Sequence, residues 1–234
     1  MPDARTPLLL IPGLLCDAAL WAPQIAHLQD IAEIRVADHT GYHNLSDLAR
    51  AILTRAPPRF AVAGLSMGGY IALELLRQAP ERVVRLALLN TSARPDTPEQ
   101  RRRRLGFIAL VRRGRFLGVG RGLLPNLIHP SRLKEAELTG IILEMTQRTG
   151  AEAFIRQEHA IIGRPDSRPL LPTIECPTLV IGGRQDQMTP LYLQEELADA
   201  IPGARLVVIE NCGHLSTLER PAEVNQALRA WLER

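Results

Sequence analysis

Phe60-Ala61-Val62-Ala63-Gly64-Leu65-Ser66-Met67-Gly68-Gly69-Tyr70 is the stretch whose reading decides the fold. Four residues of strand character run into Gly64-Leu65-Ser66-Met67-Gly68, and helix-forming sequence follows at once. A chain that passes from strand to helix across one serine must turn sharply there. The turn drives Ser66 to positive φ and brings the residues two before and two after it together. Gly64 and Gly68 remove the clash that side chains would make. The hydroxyl then stands at the carboxyl edge of a sheet, and the N–H of Met67, opening the helix, points to the same space. A G-x-S-x-G match alone is weak, since about one chain in ten of this length shows one by chance. The strand before it and the helix after it give it meaning.

On both sides of this turn the chain alternates. Pro7 to Ile11 is a continuous apolar run, as expected of a strand buried on both faces. A turn at Pro12-Gly13-Leu14-Leu15-Cys16 and a helix with Trp21, Ile25 and Leu28 follow. Ile34 to Ala37 is the second strand, leading to Asp38-His39-Thr40-Gly41 and a helix with Ser46 as its predicted N-cap. Phe60 to Ala63 is the third strand, and the helix after Ser66 stops before Pro80. Val83 to Leu89 is the fourth. Alternation resumes with Pro177 to Gly183, a helix opened by Thr189-Pro190 as N-cap and first residue, a sixth strand at Leu206 to Ile209, and a C-terminal helix marked by Val224, Leu228 and Trp231.

Between the fourth and fifth strands the pattern breaks. Residues 94–168 read as helices, with Leu138, Ile141, Ile142 and Met145 spaced along one helix face. The expected organisation is a core of residues 1–93 and 169–234 with a helical cap insertion at 94–168. The insertion enters at the carboxyl ends of the strands, where open α/β sheets bind ligands. It also carries 14 Arg and 1 Lys against 8 acidic residues, a net of +7, while the remainder nets −4.

Serine is a poor nucleophile without a base, and the base needs an orienting acid. In a doubly wound sheet of this type the partners follow in the order Ser, Asp or Glu, His. Asp186 lies just past the fifth strand, in Gly182-Gly183-Arg184-Gln185-Asp186, and His214 just past the sixth, in Asn211-Cys212-Gly213-His214. Ser66 is the candidate nucleophile, His214 the base and Asp186 the acid. His39 and His43 come too early in the chain, His129 and His159 lie in the insertion, and His27 sits on a helix. The place after the fourth strand, a second possible position for an acid, holds Asn90 and Thr91. The N–H groups of Leu14 and Met67 are the candidate oxyanion donors.

These motifs resemble the α/β-hydrolase superfamily: Gly64-Leu65-Ser66-Met67-Gly68, the loop from Gly183 to Asp186, Gly213-His214, and Asp38 with Gly41 after the second strand. The resemblance covers the chain outside 94–168. It departs at Pro12-Gly13, where relatives often carry His-Gly, and at the start, where six residues before Pro7 cannot supply the two extra strands of the usual fold. The expectation is a doubly wound, mostly parallel sheet of about six strands in the order 2-1-3-4-5-6, without the N-terminal hairpin.

The resemblance implies a cofactor-independent serine hydrolase of a small carboxylic ester or lactone. The same triad also serves carbon–carbon bond hydrolysis, perhydrolysis and acyl transfer, and a ligand-binding member with little turnover is the alternative of another class. No phosphate-binding glycine loop, dinucleotide fingerprint or metal-ligand spacing is present, so neither cofactor nor metal is expected. The Arg101-Arg102-Arg103-Arg104 run lacks interleaved aromatics and reads as a solvated helix face, not a nucleic-acid site. The glycine-rich stretch at 114–122 follows no strand and reads as flexible cap. The sharper reading of the basic cap is that one or two arginines turn inward and hold a carboxylate on an anionic substrate. No apolar run approaches the ~20 residues of a membrane span, and Met1 to Arg5 is neither a signal nor a transit peptide. Three cysteines, Cys16, Cys176 and Cys212, fit a reduced cytoplasmic protein.

Overall fold

The computed structural model describes residues 5–116 and 118–233. Residues 1–4, within the opening segment read above, and Leu117, within the 114–122 stretch, lie outside them. Among the described residues, six strands form one sheet: β1 (Thr6–Ile11), β2 (Ala32–Val36), β3 (Phe60–Leu65), β4 (Val83–Leu89), β5 (Thr178–Gly183) and β6 (Arg205–Ile209). Their order is β2-β1-β3-β4-β5-β6, and every adjacent pair is parallel. The strands that read as unbroken apolar runs are the interior ones, because both their faces are covered.

Nine α-helices of the described residues connect them: α1 (Ala22–Leu28), α2 (Leu45–Arg55), α3 (Met67–Gln78), α4 (Pro98–Arg112), α5 (Leu124–Leu127), α6 (Ala136–Ile162), α7 (Leu191–Ala200), α8 (Ser216–Glu219) and α9 (Pro221–Leu232). Successive strand residues point to opposite faces. Leu8 and Leu10 therefore pack with Trp21, Leu28, Val224, Leu228 and Trp231 under α1 and α9. Leu9 and Ile11 pack with Leu48, Ile52, Ile71, Leu75 and Leu197 under α2, α3 and α7.

Helices α4 to α6 make the cap. Gly150, at φ 76° and ψ 173°, kinks the long α6. Before the kink, Leu138, Ile142 and Met145 join the first core; after it, Ala160 and Ile161 join the second. The expected helix face is thus the buried one. The Ser167 N–H donates to the Ala93 carbonyl at 2.8 Å and draws the two ends of the segment together.

Two helix starts differ from expectation. Asn44, not Ser46, caps α2, its side chain accepting the Asp47 N–H at 2.9 Å. Ser46 instead accepts from the Gln78 amide of α3. Likewise α7 begins at Leu191 with Pro190 as N-cap, because the Thr189 hydroxyl is engaged elsewhere, as described below. No helix of the described residues is long and apolar enough to cross a membrane.

Candidate active site

Among the described residues, four non-glycine residues have positive φ: Leu15, Ser66, Asn90 and Asn211. They follow the carboxyl ends of β1, β3, β4 and β6. Backbone strain concentrates on one edge of the sheet, the edge where function was expected.

Ser66 sits between β3 and α3 at φ 56° and ψ −115°. A Cβ at Gly64 would come within 2.2 Å of the Gly68 carbonyl oxygen, and one at Gly68 within 2.1 Å of the Ile11 carbonyl oxygen. Only glycine fits either position. The Ser66 N–H donates to the Leu89 carbonyl at 2.9 Å, and its carbonyl accepts the Thr91 hydroxyl at 2.7 Å. The turn is thereby held against the end of β4, with the serine side chain half-buried.

The loops after β5 and β6 are fastened side by side. The Gln185 N–H donates to the Cys212 carbonyl at 2.9 Å, and the Gln185 side chain accepts the Cys212 N–H at 3.0 Å. This places the His214 Nδ1 2.8 Å from the Asp186 Oδ2, both side chains being buried. Four further donors converge on the same carboxylate. Oδ1 accepts the N–H groups of Met188 and Thr189 at 2.8 and 2.9 Å. Oδ2 accepts the Thr189 hydroxyl at 2.7 Å and the Asn90 amide at 2.9 Å. Asp186 thus closes its own turn, and Thr189, expected as the N-cap of α7, gives its hydroxyl to Asp186 instead.

Burial by itself would raise the Asp186 carboxyl. The His214 ring, the Thr189 hydroxyl and the Thr189 N–H outweigh it and hold the group below the ordinary carboxylate range. An ionised carboxylate only accepts hydrogen bonds, so the proton between the pair sits on Nδ1, and in the neutral ring the lone pair is on Nε2. No hydrogen bond joins the Ser66 hydroxyl to that nitrogen among the described residues. Ser66 is linked to the pair through the backbone, by way of Leu89 and the adjoining Asn90.

Asn90, at the alternative acid position after β4, is part of the site. It is fully buried, receives the Ser216 hydroxyl at 2.6 Å, and donates to Asp186 and to the Gly213 carbonyl. Its partners stand 96 to 126 positions away in the chain, so no local signal marks it. Gln157 is similar. It reaches from α6 to accept the Leu15 N–H at 3.2 Å, while its amide nitrogen lies 3.0 Å from the buried His39 ring. The Gly13 carbonyl accepts the Cys16 N–H. Leu14 lies between these two anchored residues, and Met67, as the first residue of α3, has no intrahelical partner for its N–H.

Two inward arginines of the cap, Arg104 and Arg164, are matched by carboxylates, whereas the half-buried Arg156 donates to the Thr40 carbonyl at 2.7 Å. Arg104 pairs with Asp96 at 2.8 Å and Glu158 at 2.7 Å; Arg164 pairs with Asp96 at 2.6 Å and stacks on Tyr70. The two cations are matched by two carboxylates. Among the described residues, no group of three His, Cys, Asp or Glu side chains could hold a metal ion.

The model of the alpha/beta hydrolase family matches residues 8–227. The chain belongs to that family and is a hydrolase. Its relatives include an esterase from Thermogutta terrifontis, whose structure with malate bound superposes with a TM-score of 0.89 at 31% identity, over 97% of this chain and 89% of that one. The enol-lactonase from Burkholderia xenovorans LB400 gives 0.89 at 26% identity, over 99% and 93%. The pimeloyl-[acyl-carrier protein] methyl ester esterase of Nitrosomonas europaea is 27% identical over 237 residues, 92% of this chain and 91% of its own.

Proposed function

We propose that this hydrolase cleaves a small carboxylic ester or lactone through an acyl-enzyme on Ser66. The observation that carries the reading is the Asp186–His214 pair at 2.8 Å. It is held so that one ring nitrogen is spent on the acid and the other keeps its lone pair. Ser66 attacks the carbonyl carbon while its proton passes to His214 Nε2. The N–H groups of Leu14 and Met67 receive the developing oxyanion. His214 then protonates the leaving alkoxide, water enters by the same route in reverse, and the carboxylic acid departs. Asp186 holds the tautomer and stabilises the imidazolium. Residues 94–168 serve as the cap unit that shapes the pocket and selects the acyl group.

The test is covalent. A fluorophosphonate probe should label Ser66 and no other residue. Ser66→Ala should keep the fold while p-nitrophenyl ester turnover drops by at least about a thousandfold. Labelling elsewhere, or turnover that survives the substitution, removes Ser66 from the role.

A further inference from the structure

Glu219, at the end of α8, is 1% exposed, and its side chain is a salt-bridge partner of no described residue. Its two oxygens serve two distant pieces of backbone. Oε1 accepts the Gly213 N–H at 2.9 Å, one residue before His214. Oε2 accepts the N–H of His129, in the cap, at 2.6 Å. The surrounding seam runs the same way. The Leu127 carbonyl accepts the N–H groups of both His214 and Leu215, at 2.9 and 3.1 Å. A Cβ on Gly213 would come within 2.9 Å of the Ile128 backbone. The Arg132 guanidinium donates to the Glu219 backbone carbonyl, and its charge is paired with Glu135.

A buried carboxylate whose nearest cation, Arg132, is already paired with Glu135 is a costly way to fill space. Its chemistry explains the choice. Two N–H groups from opposite sides need a rigid group that accepts at both ends, and a carboxylate does so. The amide of glutamine would meet one of them with its own N–H.

We infer that Glu219 is a positioning residue: its carboxylate seats the cap segment 127–129 on the turn 213–215 and so aims His214 at Ser66. The inference rests on the reading of His214 as the base. Glu219 touches neither the substrate nor the reacting atoms, and it acts on rate through the placement of the His214 ring. It makes the placement of the cap and the placement of the base one event.

The test uses three variants and the unsubstituted protein. Glu219→Gln should lower kcat and the rate of fluorophosphonate labelling by about 10- to 100-fold, the effect of a misplaced catalytic group, with KM changed by no more than about twofold. His129→Pro and His129→Ala both lose the imidazole that accepts the Ser131 N–H; the proline additionally removes the cap-side N–H, so the two are compared with each other. His129 has φ −59° and Ile128 is extended, so the backbone accepts proline there. Its kcat should fall with that of Glu219→Gln, whereas His129→Ala, which keeps the N–H, should match the unsubstituted enzyme. In the unsubstituted protein, amide exchange at His129 and Gly213 should be protected to within about tenfold of each other, since both open when one anchor lets go. An unchanged kcat in Glu219→Gln, a loss confined to KM, equal kcat in the proline and alanine variants, or His129 exchanging far faster than Gly213 would each overturn the inference. If the variants fail to fold, the exchange comparison decides. Absence of Ser66 labelling in the unsubstituted protein would instead refute the hydrolytic mechanism, and exchange would still judge the seam.

Discussion

Two buried carboxylate clusters in this molecule close differently. At the end of β5, Asp186 gathers the Thr189 and Asn90 side chains, two backbone N–H groups and the His214 ring. In the cap, Asp96 and Glu158 gather Arg104 and Arg164. Burial alone would lower the Arg104 guanidinium, but the Glu158 and Asp96 carboxylates outweigh it and keep it charged. The cap cluster saturates itself, with cation matched to anion. The Asp186 cluster also satisfies its carboxylate, yet it terminates in a ring with an uncommitted nitrogen on the strained edge of the sheet. Burial and charge are common to both; only the Asp186 cluster leaves a valence that chemistry can use.

The largest effect that separates them is on rate. Asp186→Asn preserves the shape but offers an amide N–H to His214 and favours the wrong tautomer. Steady-state turnover of a p-nitrophenyl ester should show kcat falling about 10³- to 10⁴-fold. Arg104→Ala should do the opposite. It strands the buried Glu158, while Asp96 keeps Arg164, and should cost about 3 kcal/mol in urea unfolding, while kcat per folded molecule stays near its original value. A large kcat loss in Arg104→Ala would break the comparison and bring the cap cluster into the mechanism.

Acid sharpens the contrast further. The Asp186 carboxyl titrates lower in the folded chain than in the unfolded one. Its stabilisation is therefore complete above the unfolded carboxylate value of about 4 and is lost as pH falls through the lower folded value. The Tm gap between the parent and Asp186→Asn should hold from pH 7 to about 5 and close below about 4. A gap that widens in acid would mean that Asp186 is not held ionised.

The smallest effect concerns the substrate. Arg104 and Arg164 are already neutralised, so a hemi-ester and its methyl-capped analogue should differ in kcat/KM by less than about threefold, with little change between low and ~0.15 M salt. A strong, salt-sensitive preference for the hemi-ester would show that another cap arginine faces the pocket.

Much of this molecule is written locally. Gly64 and Gly68 are required by a turn that five residues define. Apolar runs such as residues 7–11 announce strands covered on both faces. The order of Ser66, Asp186 and His214 follows from which loops end at one edge. Where local reasoning erred, a competing hydrogen-bond partner was the cause, distant for Ser46 and three residues away for Thr189. Ser46 is an acceptable N-cap by type, yet Gln78 of α3 occupies it and Asn44 takes the position. Thr189 is also an acceptable cap, yet Asp186 claims its hydroxyl.

The sequence by itself determined the strand–helix alternation, the parallel sheet and the placement of Ser66, Asp186 and His214 on one edge. Each depends on periodicity or on backbone sterics within a few residues. Only the tertiary structure decided that Asn90 braces Asp186, that Gln157 holds the loop of Leu14, that Glu219 joins cap to core, and that Arg104 and Arg164 are neutralised. Hydrogen bonds and ion pairs act over about 3 Å, and the contacts that tie these groups to other elements span 54 to 142 positions. A lone Asn, Gln or Glu in the chain carries no mark of which distant atom it will meet.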